Sequence, residues 1–87
     1  MKNIYRNYLV NFRKAAGLTE EYVAQSLGYT SPRLLRYYES GQRDFSCVQA
    51  VMLFSKLSTL YKIPLMTLMQ GEVDYILTIT SAFNDKR

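Results

Sequence analysis

The sequence predicts an all-helical fold. Apolar residues recur at helical spacing along most of the chain, and residues that favour helix starts and helix ends separate the apolar stripes. The 87 residues, 48% of them hydrophobic, are too apolar for a disordered chain and are enough for one small domain with a modest core. We therefore expect five helices between about residues 3 and 70, followed by a C-terminal extension.

The first helix is predicted from about Asn3 to Ala16. Its apolar side chains follow the spacing of 3.6 residues that lets a helix bury one face. They are Ile4, Tyr5, Tyr8, Leu9 and Phe12. The basic residues Lys2, Arg6 and Lys14 are expected to face water.

Two short helices joined by a tight turn are predicted between Thr19 and Gly41. The hydroxyl of Thr19 can accept a hydrogen bond from a free backbone N–H and so cap the first of them, and the two glutamates that follow suit the positive end of the helix dipole. Gly28 follows the apolar stripe of this helix and can take the left-handed conformation that ends helices. Ser31 and Pro32 then begin the second helix as N-cap and first helical residue, and Gly41 ends it.

A longer fourth helix is predicted over residues 47–61, with Ser46 as its N-cap. Its apolar residues cover more than one face, which is typical of a helix in the middle of a small core. Pro64 then begins a short fifth helix at residues 65–70, and Gly71 ends it. Residues 1–71 are thus expected to form one domain.

The extension at residues 72–87 fits a helix and a strand equally well by its apolar pattern. A helix is favoured because Gly71 can end the preceding helix, while Glu72 and Asp74 suit the first turn of a new one. The extension carries more apolar side chains than a five-helix bundle needs. This surplus fits either a dimer interface or packing back onto the same chain.

The region from Leu9 to Met69 resembles the helix-turn-helix proteins of the phage-repressor and Cro type, the Xre-like family. The resemblance is carried by an ordered set of residues rather than by any one of them. The set comprises Phe12, Arg13, Gly17, Leu18 and Thr19, then Ala24, Leu27, Gly28 and the YTSP segment Tyr29 to Pro32, and finally Tyr38, Glu39, Gly41 and Arg43. It implies a lambda-repressor-like five-helix bundle that binds double-stranded DNA through the motif at residues 19–41.

The resemblance also implies where bases are read. The helix at residues 32–39 would lie in the major groove, with Arg33, Arg36 and Tyr37 on its outer face and in contact with bases. Arginine matches the two acceptor atoms that guanine presents there. Without the resemblance, two arginines on a short helix would more often form a solvated face.

Contacts to the DNA backbone are expected from four further residues, Thr30, Ser31, Arg43 and Lys14. A structural ion pair between Arg13 and Glu39 is implied as well, and it would fix the first helix against the second helix of the motif. Loss of one partner from a buried ion pair costs on the order of 3–5 kcal/mol.

Glu20 departs from the family pattern. Many family members carry glutamine there and use it to touch the DNA backbone, whereas a carboxylate repels phosphate. The leading interpretation, from the resemblance and the outer face of the second motif helix, is a small transcriptional regulator of the repressor type that binds DNA as a homodimer; Glu20 weakly favours the alternative. The alternative is a protein-binding module on the same fold, such as an antitoxin or an adaptor. A regulator with a bound effector is less favoured, because the chain has no room for a ligand domain.

Composition argues against an enzyme, and no cofactor, metal or small-molecule substrate is expected. The chain has no histidine, its seven carboxylates form no metal or glycosidase pattern, and its four glycines form no phosphate loop. The single cysteine, Cys47, is expected to be a small buried residue in a protein of the reducing cytoplasm. The longest apolar run, Ala50 to Phe54, is too short to cross a membrane, and the first ten residues do not form a signal peptide.

The basic charge lies mainly with the helix pair. Residues 1–45 hold seven Lys and Arg against four Asp and Glu, whereas residues 46–87 hold four against three. The surplus is therefore three charges in the first half and one in the second, as phosphate binding would require.

Overall fold

The computed structural model describes residues 4–84, and five helices account for the regular structure in that range. They are α1 (Asn7–Ala15), α2 (Glu20–Ser26), α3 (Arg33–Glu39), α4 (Cys47–Tyr61) and α5 (Leu65–Asn84). The all-helical prediction is confirmed. The predictions for Lys2 and for the side chain of Cys47 lie outside the described part of the chain.

The first helix begins at Asn7, so the predicted start at Asn3 is wrong. Arg6 has a non-helical backbone, with φ −78° and ψ 73°, and its N–H donates to the carbonyl of Glu39 over 2.8 Å. The residues before α1 are therefore tied to the end of α3 instead of extending α1. Tyr5 consequently falls outside the apolar stripe and is 58% exposed.

The expectation that Arg6 faces water is also wrong. Its side chain is only 1% exposed. It lies between the segment that follows α3 and the middle of α5, where it donates to two carboxylates and two backbone carbonyls. Sequence spacing treats a lone basic residue as a surface residue, and it cannot detect partners that come from distant helices.

Local signals placed the helix pair well. The hydroxyl of Thr19 accepts from the N–H of Tyr22 over 3.1 Å, as an N-cap does. Gly28 has φ +84° and takes the left-handed conformation predicted for it. The predictions of Ser31 as N-cap and Pro32 as first helical residue are wrong by one residue, because Pro32 occupies the N-cap position and the helix begins at Arg33.

The fourth helix has the predicted bounds. Ser46 and Gln49 form a capping box, in which each side chain bonds the backbone N–H of the other residue. The prediction that core packing accounts for all its apolar residues is wrong for one face of α4, which is exposed. That exposed face comprises Val48, Val51 and Met52.

The fifth helix runs through Gly71 without interruption, so the predicted helix end at Gly71 is wrong. Residues 72–84 of the extension are helical as favoured, but as a continuation of α5 that crosses the predicted domain boundary. Gly71 lies where α5 passes α1: a Cβ atom there would stand 2.5 Å from the ring atom Cδ2 of Tyr8. The missing side chain allows the two helices to approach closely.

A single core joins all five helices. Its buried members are Leu9, Val23, Leu27, Leu35, Tyr38, Leu53, Phe54, Leu57, Tyr61 and Leu68. Among residues 65–82 of α5, the part whose burial is described, Leu68 and Tyr75 are the buried apolar residues. Much of the apolar surface of α5 therefore remains on the outside. None of the helices in residues 4–84 combines the length and the hydropathy needed to cross a membrane.

We predict that Gly71→Ala destabilises the protein by about 1–3 kcal/mol, the usual cost of overpacking a core. Alanine favours helices over glycine by about 1 kcal/mol, so the clash with the Tyr8 ring must outweigh that gain. Urea unfolding followed by circular dichroism measures the change. Thr78→Ala, at an exposed position of the same helix, is the control and should be neutral or slightly stabilising. A stabilised Gly71→Ala protein would contradict the close contact.

Candidate nucleic-acid interface

The outer face of α3 is the surface on which the predicted base contacts lie. Leu35 and Tyr38 are buried in the core, whereas Arg33, Arg36 and Tyr37 are exposed. The seven-residue helix α3 thus has one apolar face directed inward and one basic and aromatic face directed outward.

One groove collects five of the predicted contact residues from three separate segments. We call it the turn groove, and it has a volume of about 450 Å³. Its lining residues are Gly28, Tyr29, Thr30, Ser31, Arg33, Leu34, Tyr37 and Arg43. They come from the turn after α2, from α3 and from the loop after α3. Two arginines and no carboxylate line it, so its charge is positive.

A second groove, of about 520 Å³, holds the other two predicted contacts, Lys14 and Arg36. We call it the helix groove because it lies between α1, α2 and α3. Tyr37 lines both grooves. Glu20 and Glu39 also line the helix groove, so its charge is mixed. The structure therefore separates the predicted contact set into a basic group and a mixed group.

Arg36 is bound to the acidic start of α2. Its Nε lies 3.1 Å from Oε1 of Glu20, and its Nη2 lies 3.9 Å from Oε2 of Glu21. The Arg36 side chain is 54% exposed and that of Glu20 is 27% exposed, so solvent screens the pair. Exposed pairs of this kind contribute about 0–1 kcal/mol. The contact was not predictable from spacing, since Arg36 and Glu20 lie 16 positions apart on different helices.

Arg33 differs from Arg36 in having no ion pair with a residue in the range 4–84. Its backbone N–H donates to Oγ of Ser31 over 3.4 Å, and its side chain is exposed in the turn groove. The guanidinium of Arg33 is therefore available to an external acceptor.

Arg43 lies in the loop between α3 and α4, and its backbone is held at both ends. Its N–H donates to the carbonyl of Tyr37 over 3.2 Å, and its carbonyl accepts from Nη1 of Arg6 over 2.8 Å. The side chain is exposed and lines the turn groove. Sequence reasoning placed Arg43 at the backbone of DNA but did not find the residue that holds its loop.

The structure contains the Arg13–Glu39 pair that the resemblance implies. Nε of Arg13 lies 2.8 Å from Oε2 of Glu39, Nη2 lies 3.3 Å from Oε1, and Nη1 donates to the carbonyl of Leu18. Both side chains are buried, and the hydrogen bond to Glu39 raises the pKa of Arg13. The pair fixes α1 to the last residue of α3.

The hydroxyl of Tyr61 is buried and has no hydrogen-bond partner among the described residues. Burial raises the pKa of Tyr61, and the nearby negative charge of Glu39 raises it further. The phenol therefore stays neutral and acts as a core side chain. Within residues 4–84 no cluster of three or more His, Cys, Asp and Glu residues is placed to hold a metal ion.

Comparison of the chain with protein-family models, with curated proteins and with solved structures gave no significant match.

Proposed function

We propose that this protein binds double-stranded DNA in a sequence-specific way and acts as a small transcriptional regulator of the repressor type, as its resemblance to the Xre-like family implies. The observation that supports the proposal best is the turn groove. Three separate segments bring Thr30, Ser31, Arg33, Tyr37 and Arg43 to its walls. Hydroxyls, an aromatic ring and two arginines are the groups that contact phosphates and base edges.

In this proposal α3 enters the major groove with its first turn deepest. Arg33 is the first residue of α3 and has no ion pair within the described chain, so it is the best placed to bond the two acceptors of guanine. Tyr37 follows one turn later, between the two grooves. Thr30 and Ser31 lie in the turn before α3, where a hydroxyl can donate to a phosphate oxygen.

Arg36 has a second role in the proposal. Its contact with Glu20 partly neutralises the carboxylate that departs from the family pattern. DNA must then compete with Glu20 for the guanidinium of Arg36, so Arg36 contributes less to base contact than Arg33 does. The basic surplus of the helix pair still favours binding to a polyanion.

The proposal includes a homodimer built on the exposed stripe of α5. Met66, Met69, Val73, Ile76 and Thr80 follow one another at steps of three, four, three and four residues, which is the spacing of a coiled-coil seam. Met66 is 76% exposed and Ile76 is 51% exposed. The neighbouring face of α5, with Leu68, Glu72 and Tyr75, packs on its own chain, and Ile76 and Thr80 lie at its border. A second copy would cover the stripe, and two α3 helices would reach half-sites about 34 Å apart.

A protein-binding module, such as an antitoxin or an adaptor, is the second candidate function. The exposed apolar face of α4 favours it. Val48 is 69% exposed and Met52 is 61% exposed, beside a groove of about 270 Å³ that Met52 also lines. This groove adjoins the turn groove, because Tyr29 and Leu34 line both.

We predict different effects for the two arginines of the turn groove. Arg33→Ala should cost about 1–3 kcal/mol on the preferred duplex and flatten the preference at one base pair. Arg43→Ala should weaken binding to all sequences alike, because a loop residue reaches only the backbone. It should also lower the salt slope, the steepness with which log K falls with log salt concentration, by about one unit. Competition titrations measure both changes, with a duplex selected from a random pool and its single-base variants.

Lys56→Ala removes one exposed positive charge that lies outside both grooves, and it should leave the titrations unchanged. If Arg33→Ala and Arg43→Ala behave identically, Arg33 contacts phosphate and the base assignment is wrong. If neither change alters binding in a folded protein, the protein-binding module replaces the proposal.

Replacement of Glu20 by glutamine should strengthen DNA binding. The change removes a negative charge beside the proposed backbone contact and releases Arg36, so the salt slope should rise by about one unit. Asp74→Asn changes the net charge equally at an exposed position of α5 and should have little effect. Unchanged or weaker binding by Glu20→Gln would mean that this carboxylate does not oppose the DNA.

Sedimentation should detect a dimer that Ile76→Glu dissociates, because a charge in the apolar seam cannot be desolvated cheaply. Thr78→Glu introduces the same charge on the polar side of α5 and should leave the dimer intact. Point changes are preferable to deletion after Gly71, since deletion also removes Glu72 and Tyr75 from the fold. A monomeric wild-type protein at high micromolar concentration would exclude the dimer.

A further inference from the structure

We propose that Arg6 is a positioning residue, one that holds the Arg43 loop in the conformation that meets the DNA backbone. The inference depends on the proposed DNA-binding function and adds to it a residue that touches no DNA. It follows from the surroundings of the Arg6 guanidinium and from the two ends of the Arg43 peptide.

The guanidinium of Arg6 is enclosed on every side. Nε donates to Glu72, Nη2 donates to Asp44, and Nη1 donates to two backbone carbonyls. The centroids of the Phe45 and Tyr75 rings each lie 4.4 Å from the Cζ atom of Arg6. We call this arrangement the Arg6 cage. A planar fork of donors with two apolar faces suits such a site, whereas the ammonium group of lysine does not.

The two carbonyls bonded by Nη1 belong to the segment that carries the basic wall of the turn groove. One is the carbonyl of Tyr38, in the last turn of α3, and the other is that of Arg43, each at 2.8 Å. The Arg43 N–H is bonded to Tyr37 at the same time. The peptide groups on both sides of the Arg43 Cα atom are thus fixed, while its side chain is exposed.

A fixed loop binds phosphate at a lower entropic cost than a mobile one, because ordering a loop on binding takes free energy from the complex. Arg6 therefore raises DNA affinity through Arg43. Glu72 and Tyr75 supply the far wall of the cage from α5. The conformation of the Arg43 loop consequently depends on α5 as well as on α3.

A double-mutant cycle tests the inference with a duplex selected from a random-sequence pool. Arg6→Lys keeps the charge but loses the fork. Arg43→Ala removes the side chain and keeps the carbonyl that Arg6 binds. We expect Arg6→Lys to weaken DNA binding by roughly three- to tenfold in the wild-type background and to have little effect in the Arg43→Ala background, since the two residues would act as one unit. It should also lower the salt slope toward that of Arg43→Ala.

Hydrogen exchange supplies a second measurement, which needs no DNA and uses a variant that perturbs the cage less than Arg6→Lys. Glu72→Gln weakens the cage without emptying it. The Arg43 amide should then exchange faster, while the amides of Phe54 and Leu57 in the core of α4 keep their protection. This comparison separates a local loosening of the loop from a loss of overall stability, and it applies even if Arg6→Lys does not fold.

Equal losses from Arg6→Lys in both backgrounds would overturn the inference, because Arg6 would then act on the whole fold. Unchanged exchange at Arg43 in Glu72→Gln would overturn it too. If the wild-type protein binds no duplex, the proposed function fails, and this inference fails with it. That result is seen before any variant is made, so the two failures are distinguishable.

Discussion

The buried guanidinium of Arg6 joins segments that are far apart in the chain, and its bonds determine how the loop after α3 lies against α5. Burial of a charge is costly unless hydrogen bonds and an opposite charge compensate it. Burial alone would lower the pKa of Arg6, but the hydrogen bond and the charge of Glu72 outweigh it and raise the pKa. The start of α1, the loop after α3 and the middle of α5 must all be in place for these bonds to form. The cage therefore specifies one arrangement of three distant segments.

Arg13 and Arg6 both fix the C-terminal end of α3. Arg13 binds the side chain of Glu39, and the backbone of Arg6 donates to the carbonyl of the same residue. The guanidinium of Arg6 bonds the carbonyl of Tyr38, one residue earlier. The last turn of α3 is thus fixed by three separate interactions, whereas its first turn, with Arg33, faces the turn groove. This division gives a helix that is held rigidly at one end and exposed at the other.

The features that could be predicted from the sequence are those with short-range causes. Thr19 and Ser46 each cap a helix by accepting from an N–H three residues away, and the predicted bounds of α4 agree with the structure. The outward face of α3 and the inward Leu35 also follow from local periodicity. Such signals located each helix of the described chain, although they misplaced the start of α1 and the C-terminal end of α5.

The features that could not be predicted depend on partners far along the chain. Arg6 finds Glu72 across 66 positions, and Arg36 finds Glu20 across 16 positions. The sequence predicts a helix end at Gly71, because glycine often ends helices and no nearby residue indicates the contact with Tyr8. The same limit applies to α5. Glu72 and Tyr75 fix the rotation of α5 against Arg6, and this rotation leaves the stripe around Ile76 partly exposed beside them. In the proposed dimer, a seam with a fixed direction would set the separation of the two α3 helices, and that separation is what two half-sites on DNA require.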